Sequence, residues 1–176
     1  LALMTIERMR DRKAPHLLIG GYGMGFTLRA ALGALSADAR ITVAELVPEI
    51  IEWARGPMAD LAAGCLDDPR VHLMIDDVVN VIADAQGSYD AILLDVDNGP
   101  DGLTAAANDR LYDGKGLRAS RAALRPGGIL AIWSAGSDDA FTRRLRTAGF
   151  HVEEMVVRAR DNGKGPRHVI WFAQKG

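Results

Sequence analysis

The sequence predicts an α/β fold, a Rossmann-like three-layer sandwich on a mostly parallel seven-stranded sheet with a C-terminal antiparallel hairpin. Three observations predict it. Short apolar runs alternate along the chain with stretches of helical spacing. The runs are apolar at successive positions rather than at every second one, the pattern of strands covered by helices on both faces. The last two runs have no helix between them, and a connection that short forbids a parallel crossover, so they form a hairpin.

The elements follow in order. His16-Leu17-Leu18-Ile19-Gly20 is a first buried strand. Phe26, Leu28, Ala31, Leu32 and Leu35 recur at helical spacing. Strand two is 40–45, and a helix over 48–55 carries Pro48 in its first turn, where proline is tolerated. Strand three is 71–75, followed by a short helix over 78–83. Strand four is 89–95, apolar at its centre. A helix is expected over 109–124, a turn at Arg125-Pro126-Gly127-Gly128, and strand five over 129–133. The next helix, 137–148, has Ser137 or Asp138 as its N-cap and Gly149 beyond its end. The closing strands are 150–158 and 167–173, joined by a polar turn at 159–166.

At 176 residues the chain reads as one domain over 1–176. Its 21 basic and 23 acidic side chains give a net charge of −2, which offers no electrostatic grip on nucleic acid or an anionic membrane. No apolar run approaches the ~20 residues that span a bilayer. Cys65 is the only cysteine, so no intrachain disulfide forms, and a reducing, cytoplasmic setting is expected. The start has no basic stretch leading into an apolar one and does not read as a signal peptide. It also lacks a Met, which leaves room for a further N-terminal segment.

The chemistry begins at the first strand–helix junction, Leu18-Ile19-Gly20-Gly21-Tyr22-Gly23-Met24-Gly25-Phe26. In open α/β sheets the ligand lies beyond the carboxyl ends of the strands, and glycines there let it approach the main chain. The dinucleotide fingerprint G-x-G-x-x-G/A, started at Gly21, fails at Phe26. Gly21, Gly23 and Gly25 instead follow G-x-G-x-G, a spacing common in loops that bind S-adenosylmethionine. No Gly-Lys-Ser/Thr follows, so a P-loop is excluded.

Carboxylates close the next strands. Glu45 ends strand two, about twenty residues beyond the loop, where an acid accepts from both ribose hydroxyls; it could instead cap the next helix. Leu46 either covers one face of an adenine or is core. Asp76 and Asp77 follow strand three. Asp77 is preferred as acceptor for the adenine amino group, with Asp76 as helix cap and the N–H of Val78 donating to a ring nitrogen. Asp95 ends strand four and Asp97 lies two residues on, placed to orient or deprotonate a nucleophile or hold an amine. Gly20, Gly21, Tyr22, Gly23, Gly25, Glu45, Leu46, Asp76, Asp77, Val78 and Asp95 thus form the expected nucleoside site, with Asp95 and Asp97 as candidate catalytic acids.

From Leu17 to Trp133 the chain resembles the spermidine synthase-like branch of the class I S-adenosylmethionine-dependent transferases. The resemblance is carried by Leu18-Ile19-Gly20-Gly21, Thr27-Leu28-Arg29, the stretch Val43 to Glu49, Asp67 to Val71, Ile75-Asp76-Asp77, Tyr89 to Asp95 and Leu124 to Leu130. Five parallel βα units closed by an antiparallel hairpin are the layout of that superfamily. The resemblance implies Glu45 as ribose ligand, Asp77 as adenine ligand, and Asp95 as the first acid of the polyamine enzymes' Asp-Ser-Ser-Asp-Pro segment. It also implies departures. Gly23 stands where those enzymes carry an Asp that helps hold the amine of decarboxylated S-adenosylmethionine. Asn98 replaces the segment's second Asp, and the N-terminal β-hairpin domain that helps form the polyamine site is not in this sequence.

The remaining motifs are bland. His16, His72, His151 and His168 form no pair with metal-ligand spacing, so no metal is expected. Cys65 has no nucleophile signature, Trp133 and Trp171 fall in strands, and 96–110 is long enough for a binding loop. The sequence therefore reads as a transferase using S-adenosylmethionine, or its decarboxylated form, on a small-molecule acceptor, with an amine among the options. Methyl transfer ranks first because the aminopropyl set is incomplete. Aminopropyl transfer to a polyamine and a non-catalytic nucleoside-binding module are the alternatives. A nicotinamide enzyme is disfavoured by Phe26 and the terminal hairpin. The oligomeric state stays open, a homodimer included.

Overall fold

A computed structural model describes residues 1–95, 109–158, 165 and 167–176. Its sheet runs in the order β3-β2-β1-β4-β5-β7-β6, with β1 His16–Gly20, β2 Arg40–Glu45, β3 Val71–Ile75, β4 Tyr89–Leu94, β5 Leu124–Ser134, β6 Phe150–Arg158 and β7 Arg167–Lys175. The first five strands are parallel to one another, whereas β7 pairs antiparallel with both β5 and β6. The order reverses at β1, which lies between β2 and β4. A crevice therefore opens at the carboxyl ends of β1 and β4, the usual ligand position in such sheets.

The expected two-sided burial is found. Leu17 and Ile19 of β1, Ile41 and Val43 of β2, and Leu93 of β4 pack under α1 (Ala2–Arg8), α2 (Phe26–Ala34) and α3 (Pro48–Arg55). Leu18, Ile92, Leu94, Leu130 and Ile132 pack under α5 (Val78–Ala83), α7 (Gly114–Ala123) and α8 (Asp139–Thr147). We call these the first and second faces. The remaining helices are single turns, α4 (Ala59–Ala62) and α6 (Asp109–Tyr112), with a 3-10 turn at Cys65–Asp67.

The structure departs from the sequence reading in places with local causes. The helix expected over 109–124 breaks at Asp113, whose carboxylate caps α7 by accepting from the N–H groups of Lys115 and Gly116. The break brings the two backbones together: a Cβ on Gly116 would lie 2.0 Å from the Arg110 carbonyl oxygen. The turn expected at 125–128 lies inside β5. Tyr89 pairs with Leu124 and Ala91 with Ile129, so the intervening residues of β5 bulge, and Gly127 supplies a positive φ of 70° there. Asp138, not Ser137, caps α8. Helix α1 was not foreseen. Its buried Ala2 and Thr5 are too few to show a period, and Arg8 fastens it by lying 3.7 Å over the Phe172 ring and pairing with Glu153 at 2.7 Å.

Opposite the crevice, Asp90 is 3% exposed and ties three segments together. Its Oδ2 accepts from the N–H of His16 at 2.8 Å and from Arg125 at 2.6 Å, while Arg12 lies 3.5 Å from Oδ1. An amide has one acceptor oxygen and no charge, so it cannot serve all three. Asp90→Asn is expected to destabilise the fold by about 2–3 kcal/mol, lowering the melting temperature by roughly 4–12 °C. Thermal denaturation at neutral pH checks this.

Candidate functional site

The glycine loop turns out of β1 on three positive φ angles: 84° at Gly21, 54° at Gly23 and 75° at Gly25. The alternate-glycine spacing has this physical cause, since L side chains rarely adopt such angles. Space adds a second demand at two positions. A Cβ on Gly20 would lie 2.9 Å from Val78 Cγ2, and one on Gly25 would lie 2.7 Å from the Tyr22 hydroxyl. At Gly23 a Cβ would meet nothing within 4 Å.

The loop is pinned to β2. The N–H of Gly21 donates to the Ala44 carbonyl at 2.8 Å. The Tyr22 side chain is buried beneath the loop, its hydroxyl 3.5 Å from Cys65 Sγ. Burial, then the contact with Cys65, raises its pKa, so the phenol stays protonated. Tyr22, expected among the ligand residues, is thus available only through its main chain, and its N–H already donates to Glu45.

Glu45 is 5% exposed, not a surface acid. Its Oε2 accepts from Tyr22 N at 2.8 Å and its Oε1 from Val47 N at 2.9 Å. A carboxylate offers about four lone-pair sites, so each oxygen keeps acceptor capacity. The two protein bonds fix its plane. Leu46 is 63% exposed and is not core, and Ile75, which ends β3 opposite Glu45, is 50% exposed.

At the end of β3 the helix cap is Asp77, not Asp76 as the sequence suggests. Asp77 caps α5 through a bond from Val79 N at 2.9 Å, and its Oδ2 lies 3.2 Å from Arg110. Asp76 uses Oδ1 for the N–H of Asp77 and for Asn80 Nδ2, at 2.7 and 2.9 Å. The helix starts at Val78, as expected, so the residue directly before it, Asp77, takes the cap position. Val78 is 6% exposed and packs against Gly20 and the second-face core.

Asp95 stands exposed just past β4. Its N–H reaches the Gly20 carbonyl at 3.3 Å, continuing the ladder, and its Oδ2 accepts from Thr27 Oγ1 at 2.8 Å. Asp97 lies outside the described residues. The structure thus brings the glycine loop, Glu45 and Asp95 to one end of the sheet, at β1 and its two neighbours. Thr27 and Arg110 were missed as site residues: each pairs with an acid far away in sequence. Among the described residues no group of three or more His, Cys, Asp or Glu is placed to hold a metal ion, and no helix is long and apolar enough to cross a membrane.

Residues 2–138 match the spermine/spermidine synthase domain. The chain belongs to the spermine/spermidine synthase family. A polyamine aminopropyltransferase of Mycobacterium tuberculosis in the same family is 34% identical over 149 residues, 79% of this chain and 27% of that protein. The chain therefore spans about a quarter of that relative's length. The solved spermidine synthase of Thermotoga maritima superposes with a TM-score of 0.73 at 21% identity, over 99% of this chain and 57% of that one. Human methyltransferase-like protein 13, solved with S-adenosylhomocysteine, gives 0.73 at 20% identity, over 99% and 82%. At these identities the superpositions establish the fold, which family members share with methyltransferases.

Proposed function

We propose that this chain is the donor-binding part of an aminopropyltransferase, which moves an aminopropyl group from decarboxylated S-adenosylmethionine to an amine. The observation that carries this reading is the family match over 2–138, with a relative named as a polyamine aminopropyltransferase. It reverses the order taken from sequence alone, where methyl transfer ranked first. The geometry fits an adenosyl donor. Glu45 is held in plane with acceptor capacity left for two ribose hydroxyls, and Leu46 and Ile75 offer exposed apolar surface beside it. Asp76 and Asp77, which follow β3, are the acceptors this reading offers to the adenine amino group. The donor's sulfonium makes its neighbouring carbon electrophilic, so a C–N bond forms as the C–S bond breaks and a thioether leaves. The protein's part is to hold the acceptor nitrogen in line, neutral and away from water. Asp95 orients that nitrogen and takes its proton.

Methyl transfer is the second reading, and one observation favours it. At Gly23 there is no carboxylate to hold the donor's amine, and the open space suits a donor that keeps its own carboxylate. The test is to incubate the protein with each donor and a panel of amines and identify the nucleoside product by mass. Methylthioadenosine supports aminopropyl transfer and S-adenosylhomocysteine supports methyl transfer. Binding of either nucleoside without any turnover would leave a non-catalytic binding module and sink both.

A further inference from the structure

Two aromatic residues at the carboxyl end of the sheet have no part in the site as described. β4 and β5 pair through Leu94 and Ile132. Asp95 and Trp133, next along each strand, are therefore side by side, about 4.8 Å apart from strand to strand. Leu94 and Ile132 bury in the second-face core, and alternation turns Asp95 and Trp133 to the first face. The contacts agree: Trp133 packs against the first-face core, and Asp95 takes its bond from Thr27 of α2. In β7, Ile170 pairs with Trp133, which puts His168 on the same face one pleat away. Its ring stacks on the indole with centroids 4.7 Å apart and planes 27° from parallel. The stack holds the indole plane while Trp133 stays partly exposed.

This juxtaposition has a chemical meaning. An alkylammonium group needs a counter-charge, and its methylenes need a wall that shields them from water without opposing the charge. An indole face is the best neutral side chain for the second task, because its quadrupole attracts cations. Here it lies one strand from a carboxylate whose other side is anchored by Thr27. We propose that Trp133 is a specificity-determining residue of the acceptor site, its indole lining the path of an alkylammonium acceptor whose reacting nitrogen lies at Asp95. The inference rests on the reading of Asp95 as the acid that faces the acceptor.

The test is equilibrium binding of choline and of its uncharged isostere 3,3-dimethylbutan-1-ol, measured by calorimetry with methylthioadenosine present. The wild-type chain is expected to prefer choline. Trp133→Leu is expected to reduce that preference by about 5- to 30-fold, while Trp133→Phe keeps most of it. Should Trp133→Leu fail to fold, biosynthetic incorporation of mono- to tetrafluorotryptophan keeps the ring's shape and weakens its negative face stepwise. The same series in Trp133→Phe subtracts the effects of Trp53 and Trp171. A wild-type chain indifferent to the charge, or a preference that ignores Trp133 and the fluorine count, overturns the inference. Failure of the functional reading looks different: no nucleoside product forms with either donor, whatever the choline result.

Discussion

Glu45→Gln is expected to weaken binding of the product nucleoside by about 30- to 150-fold, some 2–3 kcal/mol. The reason lies in how the carboxylate is already committed. One oxygen is held by the N–H of Tyr22 in the glycine loop and the other by the N–H of Val47 beyond β2. An amide has only one acceptor oxygen, so its NH2 must face one of those two N–H groups. That group loses its partner, and the ribose loses one of its two charged acceptors. The loop shifts with it, because Tyr22 N is the point where Glu45 grips the glycine turn. Calorimetry with methylthioadenosine and S-adenosylhomocysteine measures the loss. A 2′-deoxy analogue separates direct from indirect effects. If Glu45 meets the ribose, removing the hydroxyl costs the wild-type chain much more than the variant, a non-additive result. Equal costs would mean that Glu45 acts only by shaping the loop.

The same residue shows why part of the site was legible in the sequence. Glu45 ends an apolar run and must lie at a strand's carboxyl end, and the glycine spacing announces the loop opposite. Strands β1, β2 and β4 were readable for the same reason, since double-sided burial leaves an uninterrupted apolar signature. Legibility failed where the deciding contact was either one residue wide or far apart in sequence. Asp76 and Asp77 are chemically equivalent, and which one caps α5 depends on the backbone angle at a single position. Arg125-Pro126-Gly127-Gly128 has the composition of a turn, yet the bulge it makes lies within β5 because β4 offers partners on both sides of it. Tyr22 sits among the glycines of the loop, but its own side chain drops to Cys65, a contact between separate segments. Such pairings are set by packing, and no local pattern carries them.

Asp95→Asn is expected to lower the transfer rate by about 100- to 10,000-fold while leaving nucleoside affinity within roughly threefold. The split follows from the geometry. Asp95 is exposed beyond β4 and makes no bond to Glu45 or to the acids after β3. Its anchor is Thr27, whose hydroxyl donates to Oδ2. The amide oxygen of Asn accepts that same bond, so the side chain stays in place and the fold is undisturbed. Its NH2 then faces the acceptor, where it can neither attract an ammonium group nor take a proton. Thr27→Val supplies the complementary case. The carboxylate keeps its charge and loses its anchor, so the rate should fall by about tenfold, the low end of the worth of one hydrogen bond to a charged group. Acceptor KM should hardly change, because the attracting charge remains. Steady-state kinetics on both variants with the amine that turns over fastest decides the matter. Asp95→Asn at near wild-type rate would remove Asp95 from the chemistry. The proton would then have to leave through another group or water, and Thr27 would be a simple helix-end contact.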